Sequence, residues 1–426
     1  MNRRDFLKDS AAIGMTLAMA QGASELLADT PKDDAPKASV SCAVIGLGKQ
    51  GQEILTSLAK AGSKPKYICD TYTAENFLKK SKAIAPDAKF VEDYKVVLSD
   101  PAVVAVFVAT PSHKHKQIVI DALAAGKHVY CEAPLASNLE DAKAIAKAGL
   151  EAKTIFMPGL QMRSNLQNIH VLKFVRGGAL GTVAAGRAQY HNKTTWKQSW
   201  PDDDRMKELN WRLSKATSLG LIGEIGIHQL DTAAWFMKSM PVAVTGYGGN
   251  LLYKDGRDVA DTVNCTLEFP NNVSYSYDAT LTNSFDGSYE TFFGSSCAIM
   301  LRDQRAWMFK ESDSELLGWE VFARKDELQI GNPQAGSGIK TATGIALVAD
   351  ATKQLALGKQ PGEVGTDVSH TSLYQSVDVF LDGVRTGVKP EVGAKEGYQA
   401  TVIAAKANEA VTTGTKITFQ KEWFEI

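Results

Sequence analysis

The feature that most constrains this chain is a glycine run in a fixed setting. Gly46-Leu47-Gly48-Lys49-Gln50-Gly51 ends a β-rich apolar stretch, Val40 to Leu47. It leads into residues 51–61, where Ile54, Leu55 and Leu58 recur at a helical period. Strand, tight turn and helix in that order make a phosphate cradle. Gly46 permits the turn, Gly48 lets backbone approach a pyrophosphate, and Gly51 lets helix and strand pack closely. A second strand, Lys66 to Cys69, ends at Asp70, nineteen residues past Gly51. A carboxylate there accepts both hydroxyls of a ribose and repels a 2′-phosphate, so the expected cofactor is NAD. The alternative is that Asp70 is a turn residue only.

The alternation continues. Val103 to Ala109 is an unbroken apolar run, as a parallel strand buried on both faces requires. Ile118 to Ala125 reads as helix, His128 to Cys131 as strand, 139–151 as helix and Thr154 to Gly159 as strand. This β-α-β-α order over residues 39–158 predicts a doubly wound parallel sheet. Residues 159–426 read differently. Segments 183–192, 242–252, 262–269, 273–282 and 289–301 are β-rich, with a turn at Pro270-Asn271-Asn272. Helical periods stand at 224–237, 366–384 and 395–412. The expected class is α/β: a Rossmann domain, then an α/β domain on a large, mostly antiparallel sheet.

Lys plus Arg number 47 against 48 Asp plus Glu, a net charge of −1, which argues against nucleic acid as a partner. No apolar run nears the roughly 20 residues of a bilayer span, so no membrane insertion is expected. The five cysteines are odd in number and lack a C-x-x-C, so no disulfide framework is expected. No metal site is expected either, because His113-x-His115 lacks a third ligand at a suitable spacing. The start is distinctive. Arg3-Arg4-Asp5-Phe6-Leu7-Lys8 resembles the twin-arginine export signal, Ala11 to Ala20 carries no charge, and Ala18-Met19-Ala20 is a small-x-small cleavage site. Residues 1–20 are thus expected to be a signal, 21–38 a flexible linker, and the location periplasmic or otherwise exported. That route carries folded proteins, so a cofactor would be bound before export and kept.

The glycine run, Thr110-Pro111-x-x-x-His115, and Ala-Gly-Lys-His-Val-x-Cys-Glu-x-Pro-Leu-Ala at 125–136 together resemble the Gfo/Idh/MocA family. Gln161-Met162-Arg163, Trp211-Arg212 and Glu224 to Asp231 extend the resemblance. It implies a cofactor-binding set of Gly46, Gly48, Lys49, Gln50, Gly51, Asp70, Thr110, Pro111, His115, Glu132, Ala133 and Gln161. It also implies a homo-oligomer formed through the C-terminal sheet. Dehydrogenases of this family have Glu-Lys-Pro and a downstream Asp-x-x-x-His, whose members share one helix face. His228 fits the His and would take a hydroxyl proton. Glu224 stands for the Asp that orients it, while Ala133 stands where the Lys should be. Asp231, Arg163 and Lys193 complete the candidate catalytic set, the two cations as substitutes for the missing Lys. Trp196, Trp200, Trp211 and Tyr190 are candidates to stack on a sugar ring, with core packing as the alternative.

The resemblance implies an NAD-dependent oxidoreductase acting on a ring hydroxyl of a sugar or glycoside, with a held and internally recycled cofactor. Two readings stay open beside it. One is an NAD-dependent glycosidase working by transient C3 oxidation and elimination, whose exported relatives also lack the Lys. The other is a sugar-binding protein without catalysis.

Overall fold

Short apolar strands and amphipathic helices alternate from Cys42 onward because each helix hides one face of the sheet that its neighbours build. The computed structural model describes residues 37–303, 305–316, 325–330, 340–347 and 370–426. The expected signal, and the expected linker up to residue 36, lie outside the described residues. The first half runs β1 (Cys42–Ile45), α1 (Lys49–Lys60), β2 (Pro65–Cys69), α2 (Glu75–Ile84), β3 (Lys89–Val91), α3 (Tyr94–Ser99), β4 (Ala105–Val108), α4 (His115–Ala124), β5 (His128–Cys131), α5 (Leu139–Glu151) and β6 (Phe156–Pro158). Its six strands are all parallel, in the order β3-β2-β1-β4-β5-β6. Every residue of β1 and β4 is buried, as helices on both faces dictate. The order reverses between β1 and β4, and the crevice at such a switch point is where an α/β sheet binds its ligand.

The second half runs α6 (Leu166–Arg176), β7 (Val183–His191), α7 (Asp203–Leu209), α8 (Ile227–Met237), β8 (Ala243–Gly249), β9 (Thr262–Phe269), β10 (Val273–Thr280), β11 (Ser288–Gly294), β12 (Cys297–Arg302), β13 (Arg305–Lys310), β14 (Lys325–Ile330), β15 (Lys340–Leu347), α9 (Ser372–Thr386), α10 (Ala394–Thr413) and β16 (Ile417–Thr418). These strands form one ten-stranded sheet, β14-β15-β13-β12-β11-β7-β10-β9-β8-β16. All its pairs are antiparallel except β7 with β10. A parallel pair needs a long crossover, and residues 192–272 supply it. α8 lies on this sheet, with Phe236 stacked on Phe292 at 5.0 Å between ring centroids.

Two sequence expectations change here. The single segment 289–301 is a hairpin, β11 and β12, because Ser295 and Ser296 turn the chain onto the 180–182 loop through backbone bonds. α9 belongs by position to the second half, yet it packs on the first. Leu373, Val377, Phe380 and Leu381 share a core with β1, β4 and α1, and Phe380 meets Phe107 edge-on at 5.1 Å. All five cysteines are buried and none is in a disulfide. Burial pushes the thiols of Cys42, Cys69 and Cys265 up to about 12.

Candidate functional site

The glycine turn follows β1 and starts α1 at the switch point. Gly46 has φ +95°, and a Cβ there would stand 2.6 Å from the Ala109 carbonyl oxygen. A Cβ on residue 51 would stand 1.9 Å from the Gly46 oxygen, so helix and turn touch only because both residues are glycine. Around Gly48 nothing lies within 4 Å of a Cβ position, which leaves open space over the turn. No side chain caps α1 and no acidic residue sits in its first turn. Its N–H groups and positive dipole end are thus free for an anion. The Asp70 carboxylate accepts from Leu47 N at 2.8 Å and from Tyr72 N at 2.9 Å. Two acceptor positions remain of the roughly four that a carboxylate offers. Open cradle, unfilled helix end and acceptor carboxylate fit a dinucleotide.

Other elements close the crevice. The Thr110 hydroxyl oxygen, at the carboxyl end of β4, is buried with no partner among the described residues. Gln50 Nε2 donates to Glu132 Oε1 at 3.0 Å, and burial raises the Glu132 carboxyl to about 7. Lys49 is exposed, while Pro111 and Gln161 are half-buried. His115 is buried, with Nε2 2.9 Å from the Thr110 carbonyl oxygen and Nδ1 3.1 Å from that of Leu135. Both ring nitrogens therefore face buried loop backbone, the one that carries the proton donating to its carbonyl, with Cys131 Sγ 3.5 Å from Nδ1. This corrects the expected role: His115 ties together the loops after β4 and β5 and has no nitrogen left for a cofactor.

The candidate base sits at the start of α8, reached through a π-turn, Ile222–Gly226. His228 is half-buried, its Nδ1 is buried, and no described residue partners that nitrogen. Burial pushes the imidazole down to about 4, so it is neutral and able to accept a proton. Glu224 is buried in the π-turn and accepts from Ser112 Oγ and Ser218 Oγ, each at 3.2 Å. Arg212 Nε lies 3.7 Å from its other oxygen. The expected orienting bond from Glu224 to His228 is absent among these contacts. A π-turn has more residues per turn than an α-helix, so the i,i+4 alignment assumed from sequence does not hold across it. Ser112 belongs to the loop after β4, so the Ser112–Glu224 bond joins the two sheets' loops beside the crevice.

Three further candidates fall out of a direct chemical role. Arg163 donates to Asp231 through Nε at 2.7 Å and Nη2 at 2.8 Å, a two-point buried pair. Each satisfies the other, so neither stands as spare acid or base. Lys193 is exposed, and its backbone N donates to Ser284 Oγ at 2.7 Å. Ala133 packs with Leu160, Ile227, Val392, Ala400 and Ala404, so apolar atoms surround the position of the missing Lys. Trp200 does not lie free for a sugar: its indole N–H donates to the Tyr72 hydroxyl. Sequence reasoning missed Ser112, Ser218 and Tyr72. Only the position of Tyr72, two residues past Asp70, hinted at a place in the site.

Residues 40–160 match the model of an oxidoreductase family with an NAD-binding Rossmann fold, and residues 169–299 match the model of the GFO/IDH/MocA C-terminal domain. A 2,7-anhydro-N-acetylneuraminate hydratase of Escherichia coli K12 is 25% identical over 390 residues, 90% of this chain and 95% of the relative. A levoglucosan dehydrogenase of Pseudarthrobacter phenanthrenivorans is 28% identical over 221 residues, 47% of this chain and 55% of the relative. Among solved structures, levoglucosan dehydrogenase in complex with NADH and levoglucosan aligns with a TM-score of 0.68 at 20% identity, over 89% of this chain and 99% of that one. The aldose–aldose oxidoreductase of Caulobacter crescentus complexed with glycerol aligns with a TM-score of 0.66 at 20% identity, over 90% of this chain and all of that one.

Proposed function

The chain belongs to the Gfo/Idh/MocA oxidoreductase family, and from that premise we propose that it is an NAD-dependent oxidoreductase acting on a ring hydroxyl of a sugar or glycoside. The observation that carries the reading is His228, a neutral imidazole with an unpartnered nitrogen, on the helix that Glu224 and Ser112 tie to the cofactor loops. When bound, NAD supplies the acceptor for the hydrogen that leaves the substrate carbon with its electron pair. The N-terminus of α1 would hold the pyrophosphate and Asp70 a ribose. His228 takes the hydroxyl proton as the carbonyl forms. Arg212, half-exposed and 3.7 Å from the Glu224 carboxylate, is the cation assigned the part that Ala133 cannot take.

A second reading has its own support. Ala133 lacks the acid that the Lys of this family's dehydrogenases supplies, and the relative that spans 90% of the chain is a hydratase. Transient oxidation followed by elimination and water addition needs a base more than a fixed acid, and returns the cofactor to its starting state. In either case the cofactor is held and recycled. Export by the twin-arginine route, periplasmic residence and a homo-oligomer joined through the ten-stranded sheet belong to the same proposal. The first two rest on residues 1–20.

Denaturing the purified protein after exhaustive dialysis should release NAD(H) near one per chain. Empty protein that also binds no added NADH would remove the reading. Aryl glycosides then separate the two versions. Aglycone release without added NAD supports elimination, whereas accumulation of a ketosugar with bound NADH supports the oxidoreductase. Replacing Arg3 and Arg4 by Lys should leave the precursor in the cytoplasm, and sedimentation of the mature chain tests the oligomer.

A further inference from the structure

Between β7 and the π-turn the chain leaves its own sheet and lies on the first domain. Residues 196–210, with α7 inside them, form a strap. α7 buries none of its residues, so beyond Trp196, which packs on the main core, the strap is held by side-chain contacts. Those contacts converge on one place. The Arg205 guanidinium lies 4.3 Å from the Tyr72 ring centroid and 5.0 Å from that of Phe77. Trp200 meets Tyr72 edge-on at 5.5 Å, and its indole N–H donates to the Tyr72 hydroxyl. Tyr72 is itself bonded to the ribose carboxylate, its N–H donating to Asp70 Oδ1 at 2.9 Å. A second rest is the exposed Lys114–Glu208 pair at 3.4 Å. Between strap and first domain lies a cavity of about 220 Å³, lined by His113, Lys114, Glu208 and Trp211 among others. The near end is fixed on the second domain, where Arg257 Nη2 donates to Thr195.

We propose that this strap is a retention clasp for the dinucleotide, fastened by Trp200 and Arg205 onto Tyr72. This rests on the reading of Asp70 as the ribose carboxylate. A segment with few buried apolar contacts and solvent beneath it opens at low cost in free energy. The far end is fixed too, where Asp258 N donates to the carbonyl of buried Leu213, so a middle that detaches between two fixed ends makes a clasp. Closed, the clasp immobilises Tyr72 and, through its N–H, the carboxylate that grips the ribose. The adenosine end leaves only when the clasp lifts, so the strap governs the dissociation rate more than the association rate. A cation on an aromatic face and one hydrogen bond set how often it lifts.

The test uses the mature protein filled with NADH and chased with excess NAD, with loss of bound-NADH fluorescence giving the dissociation rate. Arg205→Ala should dissociate about tenfold faster than the parent, as loss of one such contact gives. Tyr72→Phe, which keeps the ring and removes only the hydroxyl, should show a smaller rise of about two- to fivefold. Trypsin gives a readout on the unaltered chain, because the Lys207 side chain is 78% exposed on the strap. Saturating NADH should slow cleavage after Lys207. Dissociation rates of both variants within the error of the parent's, or cleavage indifferent to NADH, would overturn the clasp. A parent protein that binds no NADH at all would overturn the ribose reading and the clasp together. A parent that binds it normally while the variants behave alike overturns the clasp alone.

Discussion

Two buried carboxylates flank His228 along one stretch of chain, Glu224 four residues before it and Asp231 three after, and their surroundings differ. Asp231 receives both arms of the Arg163 guanidinium, at 2.7 and 2.8 Å, in a site from which solvent is nearly excluded. Such a fork uses the carboxylate's directional capacity and fixes two elements, the 161–164 turn and α8. Glu224 receives two hydroxyls and, at 3.7 Å, a cation that is itself half-open to solvent. Burial raises its carboxyl, and Arg212 opposes the rise. Its partners are weaker and more easily exchanged. The lesson is that charge and position on a helix do not separate a structural acid from a functional one. The strength and geometry of its partners do.

Substitutions can break or sharpen this contrast. His228→Ala should lower kcat by roughly 10² to 10⁴, the range for a lost general base, while an NADH titration stays unchanged. Near-parental turnover would show that neither carboxylate serves a catalytic centre there. Arg163→Leu should cost about 3–5 kcal/mol of stability, because it leaves Asp231 charged, buried and unpaired. Urea unfolding measures that loss, and a change in kcat without a loss of stability would reverse the roles assigned to the two acids. Glu224→Gln should keep the fold and lower kcat by about tenfold, the scale of one weakened polar contact at a reacting centre. Lys193→Ala should leave both stability and turnover within about twofold of the parent, as its exposure implies.

The pH dependence sharpens the same point. The His228 pKa is about 4 in the folded chain against its ordinary 6.5, so the unfolded chain binds the extra proton between those values. Stability therefore falls as pH drops from 6.5 towards 4, and this part of the loss vanishes in His228→Ala. In the parent, kcat/KM should hold level through neutral pH and fall on the acid side only as the pH nears about 4. An acid limb close to 6.5 would show that the imidazole is solvated in the free enzyme.

Much of this was legible from sequence because its physics is local. The strand, the Gly46–Gly51 turn and α1 are set by side-chain period and by glycines that meet neighbours a few residues away. Asn271 and Asn272, both at positive φ, make the turn that Pro270-Asn271-Asn272 announces. The site was harder to read because its bonds span long stretches. Ser112 reaches Glu224 across 112 positions, Arg163 reaches Asp231 across 68, and Trp200 reaches Tyr72 across 128. The helical period at 224–237 was real, yet it concealed a π-turn, since one residue's change of pitch leaves little trace in hydrophobic spacing. Glycines at 223 and 226 let that turn pack: a Cβ at 226 would meet the Tyr277 ring at 2.9 Å.

The buried thiols bear on where such a chain can work. With pKa values near 12, Cys42, Cys69 and Cys265 hold only about one thiolate per 10⁵ molecules at pH 7, and disulfide exchange proceeds through the thiolate. Burial pushes the Cys131 thiol well above its ordinary value too. Once folded, the molecule keeps all five thiols buried, and burial holds four of them in the neutral form that does not exchange.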